Sequence, residues 1–185
     1  MKQNTKIRRK GIVKATCYDQ RSLNIVQKMF NKCVLFFGLD KAKYYIKGTP
    51  KWQTESHNII SNAGHEVLNK ILAGEYAGAG FLNYQALGTG VAVTPAATDT
   101  TLDTEVYRNE TASTSVSGEE LNVVAYYTES EIDGTFTEFG NFIDGTATTD
   151  SGYLWTHHVP DTAWVKTLFD LLVIEITYTS TSTEL

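Results

Sequence analysis

The sequence predicts a mainly β protein, an antiparallel β-sandwich with one or two packed helices. Short segments rich in β-branched and aromatic residues recur through the second half of the chain, and dipeptides that favour tight turns separate them. In the last of these segments, residues 168–178, apolar side chains recur with a period of two, which places Leu172, Ile174, Ile176 and Tyr178 on one face of a strand. Helical spacing of apolar residues occurs in two places.

The predicted strands begin near the start of the chain. Residues 6–18 predict a first strand, in which Gly11 is expected to mark a β-bulge. Later in the chain, Ser117-Gly118 and Asp133-Gly134 predict two hairpin turns between neighbouring strands.

An amphipathic helix of roughly four turns is predicted before Gly38, which ends it. The helix either covers the core of its own domain or docks onto a neighbouring protein, and a basic amphipathic helix could also lie on a membrane surface. A short strand is expected over residues 44–46. The apolar stripe of the helix consists of Leu23, Val26, Met29, Phe30, Cys33, Val34 and Phe37.

A second helix is predicted after residue 60. Ser61 or Asn62 is expected to cap its first turn, and Gly74 to end it. Its predicted buried stripe consists of Val67, Leu68, Ile71 and Leu72.

These patterns divide the chain into four segments. Residues 1–19 hold the first strand of the main domain, and residues 20–56 form a basic insertion that contains the amphipathic helix. Residues 57–178 form the β-sandwich domain. Residues 179–185 are rich in Ser and Thr and form a polar tail, which is expected to fray unless a partner holds it.

Length and composition are those of a globular chain with one main core. The chain has 185 residues, of which 42% are hydrophobic and 20% charged. No apolar run is long enough to predict a membrane-spanning helix, and the basic start is not followed by the apolar region of a signal peptide. Cys17 and Cys33 are too few for a disulfide framework and predict two reduced thiols.

Charge is distributed unevenly. Residues 1–52 contain 13 Lys or Arg and two Asp, a net charge of +11, whereas residues 53–185 contain three Lys or Arg and 19 Asp or Glu, a net charge of −16. The two parts are expected to attract each other within one chain or between neighbouring copies.

Residues that could hold a metal ion or carry catalysis form no convincing pattern. His157 and His158 are adjacent on a predicted strand and should point to opposite faces. Glu129, Glu131 and Asp133 alternate on another predicted strand, but a solvated face is favoured over a calcium site because no ligand loop accompanies them. The sequence predicts no catalytic, cofactor-binding or metal-binding residue.

Five segments stand out by their order and spacing. They are Asn58-Ile59-Ile60-Ser61-Asn62-Ala63-Gly64, Ala86-Leu87-Gly88-Thr89-Gly90, Thr94-Pro95-Ala96-Ala97-Thr98-Asp99-Thr100-Thr101-Leu102, Glu105-Val106-Tyr107-Arg108 and Glu138-Phe139-Gly140. Together they resemble a family of small structural virion proteins of tailed bacteriophages. The resemblance implies a protein of the virion, at the tail, baseplate or fibre region, and not an enzyme. The basic insertion departs from the family pattern and leaves the position in the particle open.

The first hypothesis is therefore a virion protein that assembles with copies of itself and with other virion proteins. A capsid decoration protein is the alternative. A nucleic-acid binder that uses the basic start is a further one, although the acidic remainder would repel nucleic acid, so tight binding is not expected. The predicted interface residues are Arg8, Arg9, Lys10, Met29, Phe30, Phe36, Phe37, Thr94, Pro95 and Asp99.

Two expectations accompany the first hypothesis. Deletion of residues 1–52 should leave a folded β-domain that no longer enters particles. Residues 91–104 lack periodicity and should form an ordered, exposed arm that reaches a neighbouring subunit, or else pack on their own sheet through Val93 and Leu102.

Overall fold

A computed structural model describes residues 5–91 and 94–184, with side chains described between residues 11 and 180 of those ranges. The strands are β1 (Thr5–Asp19), β2 (Thr49–Ile60), β3 (Leu82–Gly88), β4 (Glu105–Glu110), β5 (Ser113–Ser117), β6 (Glu120–Tyr127), β7 (Gly134–Phe136), β8 (Glu138–Ile143), β9 (Tyr153–His158), β10 (Trp164–Lys166) and β11 (Asp170–Glu184). The helices are α1 (Ile25–Phe36), α2 (Lys41–Tyr44) and α3 (Asn62–Ala73), with a 3-10 turn at Gln20–Ser22.

Nine strands form one antiparallel sheet in the order β4-β3-β8-β9-β2-β1-β11-β6-β5, and β10 pairs with β7 in a small second sheet. The prediction of a mainly β, antiparallel protein with few helices is confirmed. The finer prediction of two stacked sheets stays a prediction, because the two halves of the large sheet are joined through β2 and β9.

The large sheet curls because its two outermost strands follow each other in the chain. The backbone N–H of Thr111 donates to Asn83 on β3, and the N–H of Ala112 donates to Val124 on β6. The chain therefore changes hydrogen-bonding partner between two successive residues, which brings the ends of the sheet together.

The main core lies inside this curl. The alternation predicted for the last strand is confirmed, since Leu172, Ile174, Ile176 and Tyr178 are all buried in one core cluster. The hydrophobic effect thus fixes the register of β11, because a slip by one residue would move this face out of the main core.

The first strand is confirmed, but it occupies a more central place than the sequence indicated. β1 lies between β2 and β11 and pairs with both. Gly11 forms no bulge, because it pairs with Tyr178 on one side and Asn58 on the other, and a Cβ there would overlap the Asn58 side chain. Since β1 lies inside the sheet, the structure predicts the opposite of the expectation that a folded domain remains after deletion of residues 1–52.

Two boundaries of the predicted segments fall inside strands. β2 runs without interruption across residues 56 and 57. β11 continues through the predicted polar tail to Glu184, where it pairs with Thr5 of β1. The partner expected to hold the tail is thus the chain's own first strand.

Three local predictions are wrong. The expected strand over residues 44–46 is absent from this described region: Asp40 accepts hydrogen bonds from the N–H groups of Ala42 and Lys43, which starts α2 instead. Asp133-Gly134 forms no hairpin with β6, because β7 pairs with β10. Glu129 and Glu131 lie in a turn after β6, and Asp133 lies in the irregular segment before β7, so the three residues do not alternate on a strand.

The second helix is confirmed at both ends. The Ser61 hydroxyl accepts from the N–H of Gly64, and Gly74 ends α3 in the left-handed conformation with φ of 70°. Its predicted buried stripe is confirmed only in part, since Val67 is buried whereas Leu72 is exposed.

Candidate assembly surface

Residues 20–48 form an excursion from the sheet, with both ends at neighbouring positions. Asp19 at the end of β1 pairs with Thr49 at the start of β2. The excursion carries α1 and α2, so these helices are added to a hairpin that the two strands could close without them.

Helix α1 confirms the amphipathic helix predicted in this region. Asn24 accepts a hydrogen bond from the N–H of Gln27, and the Gln27 side chain accepts from the N–H of Asn24. This reciprocal capping box satisfies two backbone donors at the first turn, which explains why the helix begins at Ile25.

The inward face of α1 is narrow and partly polar. The buried side-chain amide of Asn31 donates to the carbonyl of Ile46, and its oxygen accepts from the N–H of Ile46, which ties the helix to the returning chain. Val34 is fully buried in a small cluster on the outer face of the sheet. The other buried members of that cluster are Tyr45, Tyr126, Leu171 and Val173.

The outward face of α1 is apolar. Met29 is 62% exposed, Phe30 44%, Phe36 83% and Phe37 67%. The predicted stripe is therefore buried only at Leu23 and Val34, and the polar Asn31 joins them on the inward side. Contiguous exposed apolar side chains are unusual on a monomer and mark interaction surfaces. We call Ile25, Val26, Met29, Phe30, Phe36 and Phe37 the exposed helix face.

An apolar groove runs beside this face, between α1 and the turn before β11. Leu168 and Phe169 of that turn are 46% and 58% exposed, and they face the helix across the groove. The Arg21 guanidinium lies 5.5 Å from the centre of the Phe169 ring, an arrangement that favours a cation–π contact. The groove is lined chiefly by Ile25, Lys28, Met29, Lys32, Leu168 and Phe169.

Ion pairs join the basic and acidic parts of the chain within one molecule. Lys14 pairs with Glu175 at 3.8 Å, and Lys51 pairs with the buried Asp170 at 2.8 Å. A third pair joins Lys41 of α2 to a carboxylate in the turn after β6. The intrachain form of the predicted attraction is thus present. The side chains of the predicted interface residues Arg8, Arg9 and Lys10 lie outside the described residues.

A buried carboxylate organises the long loop between β3 and β4. Glu138, at the start of β8, is fully buried. Its Oε1 accepts from the N–H groups of Gly90 at 2.9 Å and Thr104 at 2.7 Å, and its Oε2 accepts from the N–H of Asp103 at 2.9 Å. Gly88 pairs with Glu138 in the ladder, and a Cβ on Gly88 would collide with this side chain. We call this arrangement the Glu138 anchor.

The described part of the loop is fixed to its own domain by further contacts. Asp99 lies 2.6 Å from Nδ1 of His157, whose Nε2 lies 3.2 Å from the Glu138 carboxylate. Leu102 is buried in the core, and the carbonyl of Ala97 accepts from the N–H that begins α3. For residues 94–104 these contacts favour the alternative in which the loop packs on its own sheet through Leu102, and contact with a neighbouring subunit stays a prediction. Val93 lies outside the described residues.

The predicted interface residues whose side chains are described fall in two separate segments, α1 with its C-terminal end and the loop between β3 and β4. Thr94 is exposed and Pro95 half-buried, whereas Asp99 contributes to the Glu138 anchor. Met29, Phe30 and Phe36 lie on α1, and Phe37 is the residue that caps it. The interface thus stays a prediction, and among its loop residues Asp99 also has a structural role within the chain.

Three of the five segments that carry the phage resemblance meet at the Glu138 anchor. Gly90 comes from the second segment, Asp99 from the third and Glu138 from the last. Sequence reasoning missed the role of Glu138. One signal was present: an acidic residue opens a strand whose other residues are apolar, Gly or Asn, and all six positions of β8 are buried.

The histidines behave as the strand alternation predicted. His157 faces the Glu138 anchor, whereas His158 stacks on Trp164 at 5.5 Å and contacts Ser56. Burial lowers the pKa of His158 to about 4. Nδ1 of His158 faces the carbonyl of His57, which only accepts, so Nδ1 carries the proton. Within the described residues, no group of three or more His, Cys, Asp or Glu side chains could hold a metal ion.

The cysteines are both free thiols, one buried and one exposed. Burial, with a smaller contribution from the nearby Asp170, raises the pKa of Cys17 to about 12. A thiol with a raised pKa is a weak nucleophile at neutral pH, so Cys17 acts as a small core residue.

Among the described helices, none is both long and apolar enough to cross a bilayer. Comparisons with protein-family models, curated proteins and solved structures found no match to the chain.

Proposed function

We propose that the protein is a structural component of a tailed-phage virion. It assembles by protein–protein contacts with other copies of itself and with other virion proteins, at the tail, baseplate or fibre base, and it has no enzymatic role. The observation that carries this proposal is the exposed helix face. Its side chains have the apolar character of interface cores, and lysines border them.

The assignment to the virion rests on the resemblance of the five segments to phage proteins. The architecture is compatible with this assignment. Contacts around Glu138 connect the second, third and last segments, because Gly90 binds Glu138 directly and Asp99 is linked to it through His157. We also propose that the two halves of the curled sheet serve as the layers of a β-sandwich. This scaffold would present the excursion of residues 20–48 on its outer face.

A capsid decoration protein is the alternative. It uses the same exposed helix face, so the two functions differ in where the protein lies on the particle. A nucleic-acid binder is disfavoured because the exposed helix face is apolar, whereas nucleic-acid affinity depends on cations that neutralise phosphates. Retention on DNA with a steep salt dependence at physiological ionic strength would promote this third function.

The proposal is tested on purified particles. Mass spectrometry should detect the protein in density-purified virions, and gold-labelled antibodies should place it at the tail end. Label on the head would favour decoration. Absence from intact particles, with the protein present in the infected-cell extract, would overturn the virion assignment.

A further inference from the structure

We propose that the apolar groove beside α1 binds the β5–β6 hairpin of a second copy, so that the protein associates head to tail. This inference rests on the proposed function, because it names the partner of the same exposed helix. It is carried by the chemistry of the two surfaces and by their places on the molecule.

The groove combines apolar walls with unpaired positive charge. Lys28 and Lys32 lie one helical turn apart along its edge, and neither ammonium has a carboxylate partner among the described side chains. Arg21 is already paired with Asp19 at 2.8 Å. The Glu129 carboxylate, which also lines the groove, accepts from the hydroxyl of a buried tyrosine. An occupant should therefore be apolar and acidic.

The tip of the β5–β6 hairpin has this chemistry. Val116 is 75% exposed, and Glu119 and Glu120 follow it across the turn, both exposed and without an ion pair among the described side chains. Gly118 has a φ of 59°, and a Cβ built on it would meet nothing within 4 Å. The tip projects from the molecule as one apolar side chain beside two carboxylates.

The two surfaces lie at opposite ends of β11. Phe169, in the groove, directly precedes the first residue of β11, whereas Glu120 pairs with Thr179 and the carbonyl of Glu119 accepts from the N–H of Ser180. The strand between them spans roughly 30 Å at its usual rise per residue. One copy therefore cannot fill its own groove. A contact between unlike surfaces repeats from copy to copy and builds a ring or an open filament.

The experiment is a charge exchange followed by light scattering on a size-exclusion column. One variant carries Lys28→Glu and Lys32→Glu, and the other carries Glu119→Lys and Glu120→Lys. The wild type should associate as its concentration rises. Each variant alone should associate at least roughly tenfold more weakly, because like charges would then meet. An equimolar mixture should recover association, since each groove then meets a hairpin of opposite charge.

A variant with Glu75→Lys and Asp161→Lys changes charge as much as the hairpin variant, at exposed sites away from the tip, and should associate like the wild type. The inference is overturned by a wild type that stays monomeric, by a reversal variant that associates normally, or by a mixture that does not recover. Because virion labelling is measured separately, a monomer found in particles refutes this contact alone. An associating protein absent from particles refutes the virion assignment alone.

Discussion

The loop between β3 and β4 is bound to its own domain, whereas most apolar side chains of helix α1 face solvent, the opposite of what composition alone would predict for the two regions. The loop is polar, yet its described residues are tied inward by the Glu138 anchor. The helix is apolar, yet Met29 and Phe36 face solvent while Asn31 is buried. Polar groups are held inside where a buried partner satisfies them, and apolar groups remain outside where nothing in the chain covers them.

This difference separates structure from function in the molecule. The loop completes the domain, so changes there should cost stability. The side chains of the exposed helix face are in contact with water in the monomer. Substitutions there should therefore weaken assembly and leave the free energy of unfolding unchanged. The experiments below separate the two effects.

Two deletions should show the largest difference. Removal of residues 1–52 should abolish folding, because β1 lies at the centre of the large sheet. Replacement of residues 20–48 by an Asn-Gly turn between Asp19 and Thr49 should leave a folded sheet of lower stability, since it uncovers Leu171 and Val173. Circular dichroism and thermal unfolding distinguish the two proteins. A cooperatively folded product of the first deletion would contradict the central place of β1.

Loss of the Glu138 anchor should lower the free energy of unfolding by less than the loss of a strand does, and by more than the loss of a surface contact does. Glu138→Ala removes the acceptor of three N–H donors and leaves the buried donor of Gly90 unsatisfied, so the free energy of unfolding should fall by about 1–3 kcal/mol. Urea unfolding measures the loss, and hydrogen exchange should quicken at Gly90, Asp103 and Thr104. The exposed Glu75→Ala serves as the matched control. An unchanged exchange rate at those amides would show that the anchor does not hold the loop.

Val34→Ala should lower the free energy of unfolding, whereas substitution of the exposed Phe36 should leave it nearly unchanged. Val34 is fully buried against the sheet, so its truncation should lower the free energy of unfolding by roughly 2 kcal/mol. Phe36→Ser changes a larger side chain that is 83% exposed, and it should change stability by less than about 0.5 kcal/mol. Equal losses in urea unfolding would mean that α1 packs through both faces.

The sequence predicts those elements in which the local pattern of apolar residues agrees with their burial, and it misses contacts between residues far apart in the chain. Periodicity predicted β1, α1, α3 and the buried face of β11, because local pattern and burial agree in those elements. For the inward face of α1 it predicted Val34 but missed Asn31, whose side-chain amide is buried because it makes two hydrogen bonds to Ile46. Glu138 was also missed, because its three N–H partners lie 34 to 48 residues away in the chain.

The buried His158 should make the stability of the protein depend on pH. Burial lowers the pKa of His158 from 6.5 to about 4, so the unfolded chain takes up the proton first as the pH falls. The contribution of the neutral ring to stability is complete above pH 6.5 and should be lost toward pH 4, by about 1.4 kcal/mol for each pH unit. Urea unfolding between these values should show the slope, and His158→Gln should flatten it. An unchanged slope in that variant would assign the effect to another group.

The most direct test of the account replaces the two aromatic residues at the C-terminal end of the exposed helix face and asks whether the protein still enters particles. Phe36→Ser combined with Phe37→Ser should fold with nearly the stability of the wild type, because both rings are exposed. When both forms are expressed in infected cells, purified virions should contain the wild type and lack the variant. Equal amounts of the two forms in the virions would contradict the claim that this face mediates assembly.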